Sequence, residues 1–298
     1  MPSFTDFIKG IVMLTRPIEW SKTLGNMVIG VAVANYVLYE GFNAAAFNIS
    51  EFILAFIAVG PLLWGGLYML NDWTDWKKDK LHAVKMQRPI PSGLVSPRAA
   101  LWISVAMIFA ALALAAQISA IFLLCVFAML VNQQLYTLKP FRLKTRPILD
   151  LISGSLINPY FRFFCGWVLV VQSFTAPWQI ILFVLAFQFG GFTLYRLSGT
   201  KHEEELGYKS SAVVFGQRLL KNLSYLSMLA GGLAYLYACF TILPLEFLWL
   251  AGLSLLALPL YLNVLKDPTK MDMNRMYIIV YLHYLLFVFG FVVLFLIL

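Results

Sequence analysis

The chain has 298 residues, of which 61% are hydrophobic and 12% charged, with a mean hydropathy of +0.81. Soluble domains run near 45–50% apolar and about 25% charged, so a soluble globule is excluded, as are a disordered chain and a coiled coil. Cys125, Cys165 and Cys239 lie far apart in apolar runs and read as small hydrophobes rather than as a disulfide framework.

From the N-terminus, residues 1–22 set Asp6, Lys9, Arg16, Glu19 and Lys22 among Phe4, Phe7, Ile8, Ile11 and Val12. That pattern suits an amphipathic helix lying on a membrane rather than a signal peptide. Apolar runs near the length of one crossing then predict membrane helices at 23–39, 52–70, 99–116, 119–136, 151–171, 178–196, 223–242, 245–264 and 277–298. The runs are continuous rather than alternating, which argues against a β-barrel and leaves helices. Residues 1–298 read as one all-α transmembrane domain, a bundle of about nine helices.

Lysine and arginine favour cytoplasmic loops, and their distribution here is one-sided. The N-terminal segment and the loops after the second, fourth, sixth and eighth runs carry Lys9 to Lys22, Lys77 to Arg98, Lys139 to Arg146, Lys201 to Lys221 and Lys266 to Arg275. The opposite loops, at 40–51, 117–118, 172–177 and 243–246, have no Lys or Arg and hold only Glu40, Glu51 and Glu246 as acids. The expected protein is therefore a multi-pass cell-membrane protein with a cytoplasmic N-terminus, an outside C-terminus and a polar cap on the cytoplasmic side. Its net charge of +8 is then a mark of topology, and nucleic acid is not an expected partner.

The first polar cluster, Asn71-Asp72-Trp73-Thr74-Asp75-Trp76-Lys77-Lys78-Asp79, runs straight out of the second apolar run. Spacings of three and four put Asp72, Asp75 and Asp79 on one helix face. Three like charges on one face make sense if a divalent cation neutralises them, and an all-oxygen set beside phosphate points to Mg2+. A plainer reading is a solvated helix end paired with Lys77, Lys78 and Lys80. Next come His82, Lys85 and Arg88, the last two suited to an anion as point charge and bidentate clamp. Pro89, Pro91 and Gly93 then turn the chain back. Acids followed closely by bases describe a magnesium–diphosphate pocket.

Tyr136 to Lys144 follows the fourth run, and its bases either reach the same anion or mark topology. Arg162 sits about twelve residues into the fifth run, at a depth where a cation is costly and by default functional. A second cluster, Arg196 to Ser211, mixes bases with Glu203, Glu204 and Glu205 and ends in a Gly207 turn; a solvated helix end is its plain alternative. His283 reads as a hydrogen-bonded structural residue.

In these motifs the sequence resembles the UbiA superfamily of intramembrane prenyltransferases over nearly its whole length. The carrying residues are Asn71, Asp72, Asp75 and Asp79, Arg88-Pro89 with Ser92-Gly93, the Tyr136 to Lys144 loop, and Gly207-Tyr208-Lys209-Ser210-Ser211 running on to Gly216. The resemblance implies Mg2+-assisted loss of diphosphate from a prenyl diphosphate and attack on the allylic cation by a hydrophobic or aromatic acceptor, within the membrane lipid. Asp72, Asp75 and Arg88 would be catalytic. Asp72, Asp75, Asp79, Glu203 and Glu204 would be the metal ligands, with Asn71, Lys85, Lys22, Tyr136, Lys144, Arg162, Lys201 and Lys209 binding substrate. In the second motif the family has aspartates where this chain has Gly199 and His202, and Glu203 alone keeps an acid.

Two other readings stand beside this one. Trp20-x-Lys22 after Arg16-Pro17, with His82, Lys85 and Arg88-Pro89-Ile90, is similar to the polyprenyl-phosphate phosphoribosyltransferases of the same superfamily. Such a donor would use Lys22, His82 and Lys201 for its 5-phosphate. A transporter without chemistry is the third reading; ionisable residues near the bilayer midplane would mark it, whereas nearly all the acids here lie at one face.

Overall fold

The computed structural model describes residues 3–41, 43–81, 85–205, 207–256, 259 and 273–297, and of Ser198, Lys201, His202 and residues 273–281 it describes the backbone alone. Among the described residues the regular structure is helical, with no strand. Helix α1 (Phe4–Thr15) opens with a capping box between Ser3 and Asp6, exposes Phe4, Ile8 and Val12, and buries Leu14. It stops at Arg16, whose backbone is left-handed (φ 51°), and a short turn at Pro17–Glu19 leads into α2 (Trp20–Tyr39).

Helix α3 (Ile49–Asp79) joins the predicted 52–70 span and the acidic motif into one rod. A wide π-helical turn at Ala58–Trp64 contains Pro61, whose missing N–H and ring bulk do not fit a regular α-turn. Helices α4 (Pro97–Ile118) and α5 (Ala120–Thr137) meet at Ser119, whose hydroxyl caps α5. Helix α6 (149–167) has a π-turn at Ser153–Ile157, and α7 runs Trp178–Ser198. After the short α8 (Thr200–Glu205), α9 (Ser211–Thr241) begins twelve residues before the predicted span and kinks at Gly216 (φ 74°). Helices α10 (Leu245–Leu256) and α11 (Met273–Ile297) complete the described fold; residues 257–258 and 260–264 of the predicted eighth span lie outside it.

In lipid, helices gain little by hiding apolar surface from one another, so close packing of small residues and interhelical hydrogen bonds hold a bundle together. Helix α2 crosses α6 with backbones nearly touching. A Cβ placed on Gly30 would lie 2.2 Å from the Phe163 carbonyl oxygen, and one on Gly166 would lie 2.0 Å from that of Met27. Helices α7 and α9 are joined by Ser224 and Ser227, which donate to the carbonyls of Gly190 and Ala186 at 2.7 and 2.8 Å. Deeper polar groups satisfy one another: Asn26 exchanges amide hydrogen bonds with Gln188 and accepts from Tyr284 (3.1 Å), and Asn132 binds Asn158 and Ser153. His283 bonds the Ser254 hydroxyl at 3.2 Å.

Among the described residues, five helices, α3, α4, α5, α7 and α9, are long and apolar enough to cross a membrane. The C-terminal ends of α3, α5 and α7 gather at one polar end of the bundle with the starts of α2, α6 and α9.

The glycine crossing is directly testable. Gly166→Ala should cost about 3 kcal/mol, because the added methyl meets backbone that cannot rotate away. Gly191→Ala on α7, where nothing lies within 4 Å, should be neutral or slightly stabilising. Melting temperatures in detergent read the difference; equal effects would mean that the α2–α6 approach is looser than this.

Candidate functional site

The polar end is built on three aspartates of α3. Asp72 is buried and accepts from Arg16 Nη2 at 2.6 Å and Arg88 Nη1 at 3.2 Å, while Asp79, also buried, accepts from the same Arg88 atom at 2.8 Å. Asp75 takes Arg142 Nη2 on Oδ1 at 2.9 Å and Lys144 Nζ on Oδ2 at 2.7 Å. Lys144 also donates to Asn71 Oδ1 at 3.2 Å. Four bases thus surround three carboxylates, leaving one surplus positive charge. Burial pushes the Lys144 ammonium below the ordinary lysine range, with Asp75 pulling it back.

The bases come from three separate places: Arg16 from the α1–α2 break, Arg88 from the turn after α3, and Arg142 and Lys144 from the loop after α5. Arg16 and Arg142 both adopt positive φ (51° and 42°), a conformation that costs an L-residue roughly 1–2 kcal/mol and persists where the surroundings impose it. Here the partners are Asp72 and Asp75. Tyr208 accepts from Arg142 at 3.0 Å, with the Arg142 and Lys78 cations each 5.4 Å from its ring centre. Burial raises the pKa of its phenol above the usual range, so it stays neutral.

Beside this lies a second knot. Arg196, at the end of α7, forks onto both oxygens of Glu203 (2.8 and 3.1 Å) and also reaches Asp150 Oδ2 at 3.0 Å and the Lys144 carbonyl at 3.2 Å. Asp150 is fully buried and receives the Ser211 backbone N–H at 3.0 Å and the Ser211 hydroxyl. Glu203 also receives the Ser210 hydroxyl. Burial raises the Glu203 pKa, with Arg196 opposing it.

The structure brings Asn71, Asp72, Asp75, Asp79, Arg88 and Lys144 together. Lys85 lies close enough to feel both Asp79 and Glu203, and Tyr136 lies near Arg196, Asp150 and Glu203. Lys22 is paired with the buried Glu19 at 2.7 Å. Arg162 is buried, with its guanidinium 3.9 Å from the Trp64 ring centre and its Nε without a hydrogen-bond partner. Lys209 is exposed and stands apart from these contacts. His82 and the side chains of Lys201 and His202 lie outside the described residues.

Of the acids expected in the second cluster, Glu203 is paired with Arg196 and Ser210, and Glu204 is exposed. Among the described residues no three acids, histidines or cysteines converge as ready ligands. Asp72, Asp75 and Asp79 nonetheless fit Mg2+ chemically, since that ion needs only one or two carboxylates when phosphate oxygens and water complete its shell. Sequence reasoning left Arg16 and Asp150 out of the site and offered Arg142 only as one base of the loop after the fourth run. Asp150 carried one usable signal, an isolated acid at the start of an apolar helix just after a basic loop.

The model of the UbiA prenyltransferase family matches residues 27–288. Chlorophyll synthase of Arabidopsis thaliana is 31% identical over 85 residues, 28% of this chain but only 20% of that protein. The 4-hydroxybenzoate octaprenyltransferase of Francisella tularensis subsp. novicida is 27% identical over 223 residues, 74% of each chain. Among solved structures, a UbiA homolog from Archaeoglobus fulgidus bound to GPP and Mg2+ superposes with a TM-score of 0.76 at 18% identity, covering 95% of this chain and 99% of that one. At that identity the likeness is one of fold.

The buried knot yields a stability prediction. Asp150→Ala leaves Arg196 facing only Glu203 and strips the Ser211 contacts, so it should cost about 3–5 kcal/mol. Glu204→Ala, on an exposed side chain, should stay within about 0.5 kcal/mol of the parent. Thermal unfolding in detergent separates them, and similar midpoints would show that the knot contributes little.

Proposed function

The chain belongs to the UbiA prenyltransferase family and is an integral membrane protein, and from that premise we propose that it transfers an isoprenyl chain from a prenyl diphosphate to a hydrophobic or aromatic acceptor with the help of Mg2+. The observation that carries this reading is the set of four bases on three aspartates at the mouth of an apolar bundle. A diphosphate brings more negative charge than one magnesium ion cancels, so the surplus positive charge of the cluster matches the pair. The Archaeoglobus fulgidus homolog bound to GPP and Mg2+ supports the donor and the metal. The names of the sequence relatives, a chlorophyll synthase and a 4-hydroxybenzoate octaprenyltransferase, support a large or aromatic acceptor.

Asp72 and Asp75 would hold the metal, supported by Asp79. When bound, Mg2+ supplies Lewis-acid neutralisation of the charge that develops on the leaving diphosphate. The chain's own bases exchange partners: Arg16, Arg88, Arg142 and Lys144 turn from carboxylate to phosphate oxygens. Arg88 suits bidentate contact, and Lys144 acts as a compact charge. Below the cap, Trp64, Phe163, Phe164 and Trp167 are buried, so an allylic cation would meet ring faces and little water. Arg162, stacked on Trp64, is the proposed inner contact for substrate. Nine crossings, with the cap and N-terminus cytoplasmic, complete the reading.

Asp72→Ala should lower turnover of a labelled prenyl diphosphate by at least ~100-fold, the loss of several kcal/mol of charge stabilisation, and EDTA should abolish turnover until Mg2+ is restored. Activity within threefold of the parent in either case would sink the proposal. For sidedness, Cys125, Cys165 and Cys239 are buried, so added cysteines report alone. An impermeant thiol reagent outside intact cells should label Thr175→Cys and miss Glu204→Cys; the opposite pattern would invert the topology.

A further inference from the structure

Resting on the prenyl-transfer reading, we infer that this chain works with one metal ion, because the guanidinium of Arg196 occupies the cation's place in the second acidic cluster. Both Glu203 oxygens are taken, Oε1 by Arg196 Nη1 at 2.8 Å and Oε2 by Arg196 Nη2 at 3.1 Å and by the Ser210 hydroxyl. A metal arriving there would have to break a bidentate pair and then coexist with the displaced guanidinium. The guanidinium is closely held: its side chain is 9% exposed, against 11% for Lys144, 16% for Arg142, 30% for Arg16 and 32% for Arg88 on the first cluster. It is also bound to Asp150, whose side chain is 0% exposed. The bases of the first cluster sit on connections, two of them about a third exposed, whereas Arg196 is anchored on a long helix by three separate acceptors. The neighbouring acid, Glu204, faces solvent.

Arg196 has a second consequence for the site. Its Nη2 holds the carbonyl of Lys144, the residue whose ammonium binds Asp75 and Asn71. Arg196 is therefore a positioning residue: it fixes the backbone from which Lys144 reaches the diphosphate and stands in for the charge of a second ion.

The test titrates Mn2+ into the full-length protein in detergent, with and without geranyl thiolodiphosphate as a slowly reacting donor, and counts bound ions by electron paramagnetic resonance. The parent and the near-isosteric Glu203→Gln should each bind one Mn2+ per chain with the diphosphate present, and Asp72→Asn should bind none. Two ions on the parent overturn the inference even if Glu203→Gln fails to fold, and loss of an ion on Glu203→Gln overturns it as well. A parent that binds the analogue without any ion overturns the metal-dependent reading and this inference together. Arg196→Lys keeps the charge and loses the fork, so KM for prenyl diphosphate should rise about tenfold, the equivalent of one charge-assisted contact, with kcat little changed and the ion count still one. A lowered melting temperature with KM unchanged would show a merely structural role and refute the positioning.

Discussion

A carboxylate taken out of water must find a cation or lose its charge, and the polar end of this bundle is organised by that requirement. Removing one partner of a buried pair costs about 3–5 kcal/mol, so Asp72 and Asp79 cannot be hidden at the end of α3 unless bases come to them. They come from distant parts of the chain: Arg16 is 56 residues from Asp72, and Lys144 is 69 from Asp75. Each pair pins a connection that would otherwise be a free loop. Helix α1, the turn after α3 and the loop after α5 are all located by what they bring to these aspartates.

That arrangement needs a rigid support, and in lipid the support comes from packing. The glycine contacts of α2 with α6 and the serine bonds of α7 with α9 set the helix ends within reach of one another. The two π-turns follow the same logic. The one in α3 accommodates Pro61 well before the aspartates, and the one in α6 presents the Ser153 carbonyl to Asn132 and Asn158. Irregular backbone is tolerated at membrane depth here because it is enclosed by protein.

The two polar knots differ in what their cations can do. The first holds its bases on connections, with Arg16 and Arg88 about a third exposed. The second holds Arg196 on a helix, enclosed by Asp150, Glu203 and the Lys144 carbonyl. A site that must exchange carboxylate for phosphate needs the former; a site that must hold a loop in register needs the latter. Joined through Lys144, they form a single cap.

Much of this was legible in the sequence. Continuous apolar runs can only be helices in lipid, so the helix order and most boundaries followed from hydropathy. Asp72, Asp75 and Asp79 share a face because 3.6-residue periodicity is local, and Lys85 and Arg88 stood out as anion-binding bases that follow the acids closely in sequence. The early start of α9 was not readable, since Gln217, Arg218, Lys221 and Asn222 interrupt the apolar run and the helix passes through Gly216 only by kinking. Nor was the pairing: Arg16 with Asp72, Arg142 with Asp75, and Arg196 with Asp150 and Glu203 join residues that no local period relates. The same holds for the fate of Glu203, which in sequence is one more acid in a polar run. Whether a carboxylate faces a metal, a guanidinium or water depends on which other helix end arrives beside it, and that is decided by how the bundle packs.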